Sequence, residues 1–519
     1  LFRDGHGGAK QFQAGRHVQE SLVQGQSFEQ RSEFAEHLED LGRFLTVTDR
    51  PRADELALRA KPPGPGHGKR GVHTKPAGFV AGCSDDTPRP QPAHDHWLPP
   101  QLRIVQAFHG GIKRVHVHVQ NCPALLFRHD CSSLARYRSC IHYIGMNSPF
   151  PILDHSAPYL NHAAVGPWPR CTAEAAQAFA EENMRHGSNN YLEWMEREKQ
   201  LRNNLARMTG ASSADDIALL KNTTEGISLV ANGLPWQAGD SMVLPAEEFP
   251  SNRLPWRAQR ARGVEVREVD IRAAGDAEQA LVDAMDDSTR LLSISSVQWN
   301  DGFRLDLERL GLACRQRGVL FFVDAIQQLG ALPIDVEKAH IDFLAADAHK
   351  WLLGPEGIAV FYCREERRPD LRLQQHGWHM VDRFWDFQRD EWEPSATALR
   401  FEAGSPNSIG QAALHASTVL FLETGIKQIS DRVLANSRYL IKNLQQLPGI
   451  QVASRTEERR LSGIVSFAHD ARSPEEIYRA LQKMGVSCAV RGRTVRVSPH
   501  FYQGETELDR FFEILEDIL

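Results

Sequence analysis

The chain has 519 residues, of which 41% are hydrophobic, enough for a sizeable core and room for roughly two to four domains. A formal charge of −6 and a pI near 6.4 leave no global basic field to hold nucleic acid or an anionic membrane. No apolar run is long enough to span a bilayer and no signal peptide opens the chain. The eight cysteines are scattered without a CxxC pair, which reads as reduced thiols in a cytoplasmic protein.

Residues 1–145 differ from the rest. They are rich in His, Arg, Gly and Pro, as in "KPPGPGHGKRGVHTKPAG" (61–78), and the first methionine is Met146. A helix is expected over 28–45 and a strand over 112–121, but these pieces do not add up to a domain. The expectation is a poorly structured extension, not part of the natural protein, translated ahead of a start at Met146. His116, His118 and Cys122 lie close together but fit no zinc spacing, so no metal site is expected. The glycines before Lys69 lack the pattern of a P-loop.

From Met146 onward, apolar β-branched runs alternate with amphipathic stretches. Strands are expected at 217–221, 241–246, 264–269, 290–297, 319–325, 342–348 and 358–363, with a helix at 306–318. Strand–helix alternation of this kind implies an α/β fold with a mostly parallel, seven-stranded sheet covered on both faces. After about residue 395 the rhythm changes: two helical stretches, strands at 463–469 and 494–499, and a closing helix at 505–519. The expected division is a large domain over 146–395 and a smaller C-terminal α+β domain over 396–519.

Ligands of such a sheet bind beyond the carboxyl ends of its strands. Three of these ends carry unusual polar residues. Asp324 follows four apolar residues in "LFFVD" (320–324), and a buried carboxylate needs a cationic partner or serves as a helix cap. Lys350, in "FLAADAHKWLLGPEG" (343–357), ends the next strand. A desolvated lysine has a lowered pKa and can form a Schiff base, although most lysines simply snorkel to the surface. In "NTTEG" (222–226) a strand gives way to a helix whose first N–H groups and threonine hydroxyls suit a phosphate, or an ordinary cap. A phosphate site, a carboxylate for a pyridinium nitrogen and a lysine for an aldehyde together point to pyridoxal 5'-phosphate (PLP).

With these motifs in place, the sequence resembles the class V aminotransferase family of fold-type I PLP enzymes, from about Tyr159 to the C-terminus. That family includes cysteine desulfurases, kynureninases and isopenicillin-epimerase-like proteins. The resemblance implies a fold-type I PLP transferase with Lys350 as the Schiff-base lysine. It places His349 near the phosphate, Asp324 on the pyridine nitrogen and Gln327, of "VDAIQ", on the ring hydroxyl. It assigns Thr223, Thr224 and Glu225 to the phosphate turn and Phe249, of "EEFPSN", to the face of the ring. Gly404 and Ser405, in "RFEAGSPN", would reach the phosphate of a partner subunit, which implies a homodimer with a composite site. Arg496, in "TVRVSPHFYQ", would bind the substrate carboxylate by a bidentate fork. Asn161 and His162, in "YLNHAAVGP", would lie near the substrate. Asp347 departs from the pattern, because many relatives carry a small hydroxyl residue there, and Trp299 replaces a small polar one.

The implied reaction is PLP chemistry on an amino acid. Desulfurases carry a nucleophilic cysteine between two arginines, but here Cys488 precedes Arg491 and no cysteine separates Arg491 from Arg496. That leaves transamination, epimerisation or β/γ-elimination such as C–S lysis, and an aminotransferase or epimerase-like reaction is the first expectation. A cysteine desulfurase or selenocysteine lyase is the alternative, and a non-catalytic binding module with the PLP fold is the alternative of another class.

Overall fold

The computed structural model describes residues 148–388 and 392–519, and the backbone of two short strands, β1 (Arg103–Ala107) and β2 (Arg114–His118). These two pair antiparallel; β2 falls within the strand expected at 112–121. The helix expected over 28–45 and the side chains of His116, His118 and Cys122 lie outside the described residues.

All seven expected strands form and share one sheet. They are β3 (Ile217–Leu220), β4 (Ser241–Pro245), β5 (Glu265–Val269), β6 (Thr289–Ser295), β7 (Leu320–Asp324), β8 (Phe343–Asp347) and β9 (Ala359–Cys363). The order is β3-β9-β8-β7-β6-β4-β5. Six strands run parallel, and β9 alone runs opposite to its neighbours β3 and β8. The carboxyl ends of the six therefore meet along one edge.

The central strands read as unbroken apolar runs because both of their faces are covered. Alternate residues feed two different cores. Leu344 and Ala346 of β8, Phe321 and Val323 of β7, and Leu292 and Ile294 of β6 point into one. Phe343 and Ala345 of β8 and Phe322 of β7 point into the other. Helices α1 (Arg170–His186) and α2 (Tyr191–Thr209) precede the sheet, and α2 lends Leu201 and Leu205 to the first core. Helix α3 (Thr223–Gly233) and the short α4 (Leu254–Ala258) cover the second core with Ile227, Val230 and Trp256. Helices α5 (Ala277–Asp283) and α6 (Leu307–Arg317) return to the first with Leu281 and Leu310. Helix α6 is bounded as its sequence suggests. The Asp306 side chain accepts from the Arg309 N–H at its start, and Gly318 adopts a left-handed φ of 67° at its end.

The C-terminal part begins with α7 (Ser408–Thr424) and α8 (Ile426–Leu444). It continues as a four-stranded antiparallel sheet in the order β10-β11-β13-β12. These strands are β10 (Ile450–Val452), β11 (Val465–His469), β12 (Ala489–Arg491) and β13 (Thr494–Val497). Helices α9 (Pro474–Lys483) and α10 (Glu505–Ile518) pack on it. Strands β10 and β12, three residues each, are too short to show a periodicity in sequence. Among the described residues, no helix is long and apolar enough to cross a membrane.

Candidate active site

The polar strand ends converge at the carboxyl edge of the large sheet. Strand β7 ends on Asp324 and β8 on Asp347, with Lys350 three residues further on. Strand β3 leads through Asn222 into α3, and the chain after β4 brings in Glu248 and Phe249.

Lys350 is half-buried, and its Nζ lies 5.6 Å from the centre of the Phe249 ring. Burial, with the Arg496 guanidinium, lowers its pKa to about 8 against the pull of Asp324 and Asp347. Asp324 is 3% exposed, and its Oδ1 accepts from the Ile326 N–H at 3.1 Å. Burial raises its pKa to about 7. Both groups thus sit closer to neutrality than they would in water.

The segment after Lys350 is held by four separate contacts along the backbone. Gly166 N–H donates to the His349 oxygen at 2.6 Å, and Leu353 N–H donates to the Lys350 oxygen at 3.2 Å. His500 Nε2 donates to the Trp351 oxygen at 3.0 Å, and the Ser417 hydroxyl donates to the Leu352 oxygen. The turn closes through Leu353 in the left-handed region at φ 52°. The indole of Trp351 donates to Gln327 Oε1 at 2.8 Å. A Cβ on Gly463 would overlap that indole, and one on Gly166 would overlap the Lys350 oxygen.

Phe249 is set by Glu248. That carboxylate is buried and accepts from Ser295 N–H at 2.6 Å, from the Ser295 hydroxyl and from Gln298 Nε2 at 3.1 Å. Phe249 meets Trp299 edge to face at 5.6 Å. The Trp299 oxygen accepts from Arg496 Nη1 at 2.6 Å, and the Arg491 guanidinium lies over its ring at 5.9 Å. Arg496 is 2% exposed on β13, so the C-terminal sheet brings a buried cation to the lysine.

Other expected site residues are placed differently. His162 is fully buried, with Nδ1 2.8 Å from the Ser498 oxygen and Nε2 2.5 Å from the Tyr502 hydroxyl. A carbonyl only accepts, so Nδ1 carries the proton and Nε2 accepts from Tyr502. Both nitrogens are engaged within the protein, and His162 fastens the segment at 159–163 to the chain just after β13. Gln327 is engaged at both ends as well, with Nε2 donating to the Ala163 oxygen at 3.0 Å and Oε1 accepting from Trp351. Any bond to a ring hydroxyl would fall to its second amide N–H. Asn161 bridges to Ser498 through its backbone and lines an open groove of about 600 Å³ with Tyr159, Arg479, Ser487 and Cys488. Gly404 and Ser405 lie on a surface loop ahead of α7.

At the start of α3, Asn222 Oδ1 accepts from Glu225 N–H at 2.9 Å. The Thr224 hydroxyl donates to Ser251 at 2.9 Å, and Glu225 turns its carboxylate back to Lys221 N–H at 2.6 Å. Thr223 pairs with Asp347. Sequence reasoning missed Glu248, Trp351 and His500. Only Glu248 left a signal, as one of two consecutive carboxylates just after an apolar strand.

The residues fit PLP on their own chemistry. A shielded carboxylate with no cationic partner within 4 Å among the described residues suits a pyridinium N–H, and a lysine of lowered pKa suits an aldehyde. His349 Nδ1 is buried without a hydrogen-bond partner, 3.7 Å from Asp347 Oδ1. The fold and site together define a PLP-dependent enzyme of fold type I.

Comparison with known proteins narrows this class. The chain belongs to the class V aminotransferase family, whose model matches residues 158–511. A probable cysteine desulfurase of Methanothermobacter thermautotrophicus is 30% identical over 390 residues, covering 71% of this chain and 96% of that protein. A solved cystine C–S lyase, C-DES, in complex with its product cysteine persulfide is 25% identical with a TM-score of 0.67, covering 71% of this chain and 99% of that one. A variant of C-DES with glycine covalently linked to PLP is also 25% identical, with a TM-score of 0.66, covering 71% and 98%. PLP is the cofactor of this family and of this chain. The relatives favour the desulfurase-type alternative over transamination or epimerisation. The missing cysteine argues against a persulfide route, in which a thiolate takes the sulfur as the C–S bond breaks, but not against β-elimination, which breaks that bond without a protein thiol.

Proposed function

We propose that this chain is a PLP-dependent C–S lyase acting on cysteine or cystine, and that it releases sulfur without a protein thiol as acceptor. The single observation that carries the choice of acceptor is the state of the cysteines. Cys314, Cys363 and Cys488 are buried and Cys171 is half-buried among the described residues. Burial pushes the Cys488 thiol up to about 12, the reverse of what a sulfur nucleophile needs.

In this reading Lys350 holds the cofactor aldehyde, Asp324 faces the ring nitrogen, and Phe249 covers the ring face. The turn at Thr223, Thr224 and Glu225, with His349, receives the phosphate, and Gln327 lies at the ring's edge. Bound PLP supplies an electron sink. Arg496 orients the substrate carboxylate by its fork. Lys350, with its pKa lowered to about 8, has an appreciable neutral fraction near pH 7 and removes the proton from the substrate α-carbon. With cystine, the Cα–H and Cβ–S bonds break and the sulfur pair leaves as cysteine persulfide. The remaining three-carbon fragment hydrolyses to pyruvate and ammonia. The exposed loop at Gly404 and Ser405 supports a homodimer in which it completes the partner's phosphate site.

The test is product analysis with L-cystine and L-cysteine. Pyruvate, ammonia and persulfide sulfur in equal amounts are expected from cystine. Alanine with sulfur retained on the protein would instead indicate the desulfurase route, and amino transfer to a 2-oxo acid without sulfur release would overturn the proposal.

A further inference from the structure

Asp347, a buried residue, ends β8 and meets Thr223, the first residue of α3, at two points. Thr223 N–H donates to Asp347 Oδ2 at 3.2 Å, and Asp347 N–H donates to Thr223 Oγ1 at 3.0 Å. The N-terminus of a helix attracts an anion through its open N–H groups and its dipole. In this chain an anion of the protein itself is already there. The other donors of the turn are partly engaged too, since Glu225 N–H goes to Asn222 and the Thr224 hydroxyl to Ser251. The charge of Asp347 is felt across the site, where it opposes the lowering at Lys350 and adds to the raising at Asp324. The charged and titratable groups around it are His349, with Nδ1 at 3.7 Å, Lys350 and Asp324.

We propose that Asp347 is an internal anion that competes with the cofactor phosphate for the N-terminus of α3, so that its charge weakens the hold on PLP. This rests on the placement of the phosphate at the α3 turn. The carboxylate also has a second task, latching α3 to the end of β8. The two tasks separate in one substitution. In Asp347→Asn the amide oxygen still accepts from Thr223 N–H and the backbone N–H of residue 347 is unchanged, but the charge is gone.

The experiment is titration of the full-length apoprotein with PLP, read by visible absorbance and by quenching of tryptophan fluorescence. Competition by inorganic phosphate in a Lys350→Ala background reports the phosphate locus alone. Asp347→Asn is expected to lower the PLP Kd by tenfold or more and to strengthen phosphate competition in proportion. Asp347→Ser, which removes the charge and offers a hydroxyl, should follow the same direction if its circular dichroism matches the wild type. An Asp347→Asn protein that is folded and binds PLP equally or more weakly would overturn the proposal. So would tighter PLP binding with unchanged phosphate competition. The readout needs no substrate, so it is decided separately from the C–S lyase reading.

Discussion

His500 Nε2 donates to the backbone oxygen of Trp351 at 3.0 Å, which ties the C-terminal sheet to the residue after Lys350. His500 is fully buried, and its Nδ1 accepts from Phe501 N–H at 2.8 Å, so the tautomer is set by its two neighbours. Burial lowers its pKa to about 4, so the neutral ring persists through the physiological range. His500→Phe leaves the Trp351 oxygen buried without its donor, at a cost of about 1–3 kcal/mol. The expected outcome is a lower melting temperature together with a lower kcat at nearly unchanged KM. A variant that melts lower with an unaltered kcat would reduce His500 to a core residue.

Gly463→Ala probes the same region from the opposite side. The new methyl group would overlap the Trp351 indole. Overpacking of this kind costs about 1–3 kcal/mol. Thermal denaturation of the holoenzyme should show the loss, and the visible PLP band should shift because the lysine segment must move. An unchanged melting curve would mean that the indole has room to yield.

Lys350→Ala should leave no PLP fixed to the protein after borohydride reduction. Loss of the base at Cα alone costs about 10²–10⁴-fold in rate. Peptide mapping of the reduced wild type locates the label. A label on any other lysine would remove Lys350 from its assigned role.

Asp324 links the site to stability. Its folded pKa, raised to about 7, lies above the ordinary carboxylate value of 3.8. Between these values the folded apoprotein binds more protons than the unfolded chain, so this group's contribution to stability is present below about pH 4 and is lost as pH rises through about 7. Asp324→Asn should therefore stabilise the apoprotein at pH 8 relative to wild type, with little difference at pH 4, while weakening PLP binding and activity. Equal melting temperatures of wild type and variant at both pH values would contradict the burial argument.

Cys488→Ala tests the sulfur acceptor. With the thiol 4% exposed and pushed up to about 12, it acts as a small apolar residue. Activity on cystine should stay within about twofold of wild type, because free buried cysteine is held for packing. A collapse in sulfur release with normal folding would restore a persulfide role.

The sequence by itself determined much of this protein. Apolar runs specified the central strands of the large sheet, because a strand buried on both faces must be continuously apolar, while the edge strand β5 showed as the alternation in "EVREV". Asp324 and Lys350 stood out for the same reason, as ionisable residues at the ends of such runs. What the linear order left open is which donor meets which acceptor. Gln327 and His162 carry the right chemistry for a ligand, yet their hydrogen bonds go to Ala163, Trp351, Ser498 and Tyr502. Asp347 could have pointed anywhere until Thr223, 124 positions away, was seen to receive it. Strand β9 reads like its neighbours but runs opposite to them, since apolar alternation carries no sign of direction. Only the tertiary structure decides these matters, because a side chain advertises its capacity to bond while the fold supplies the partner.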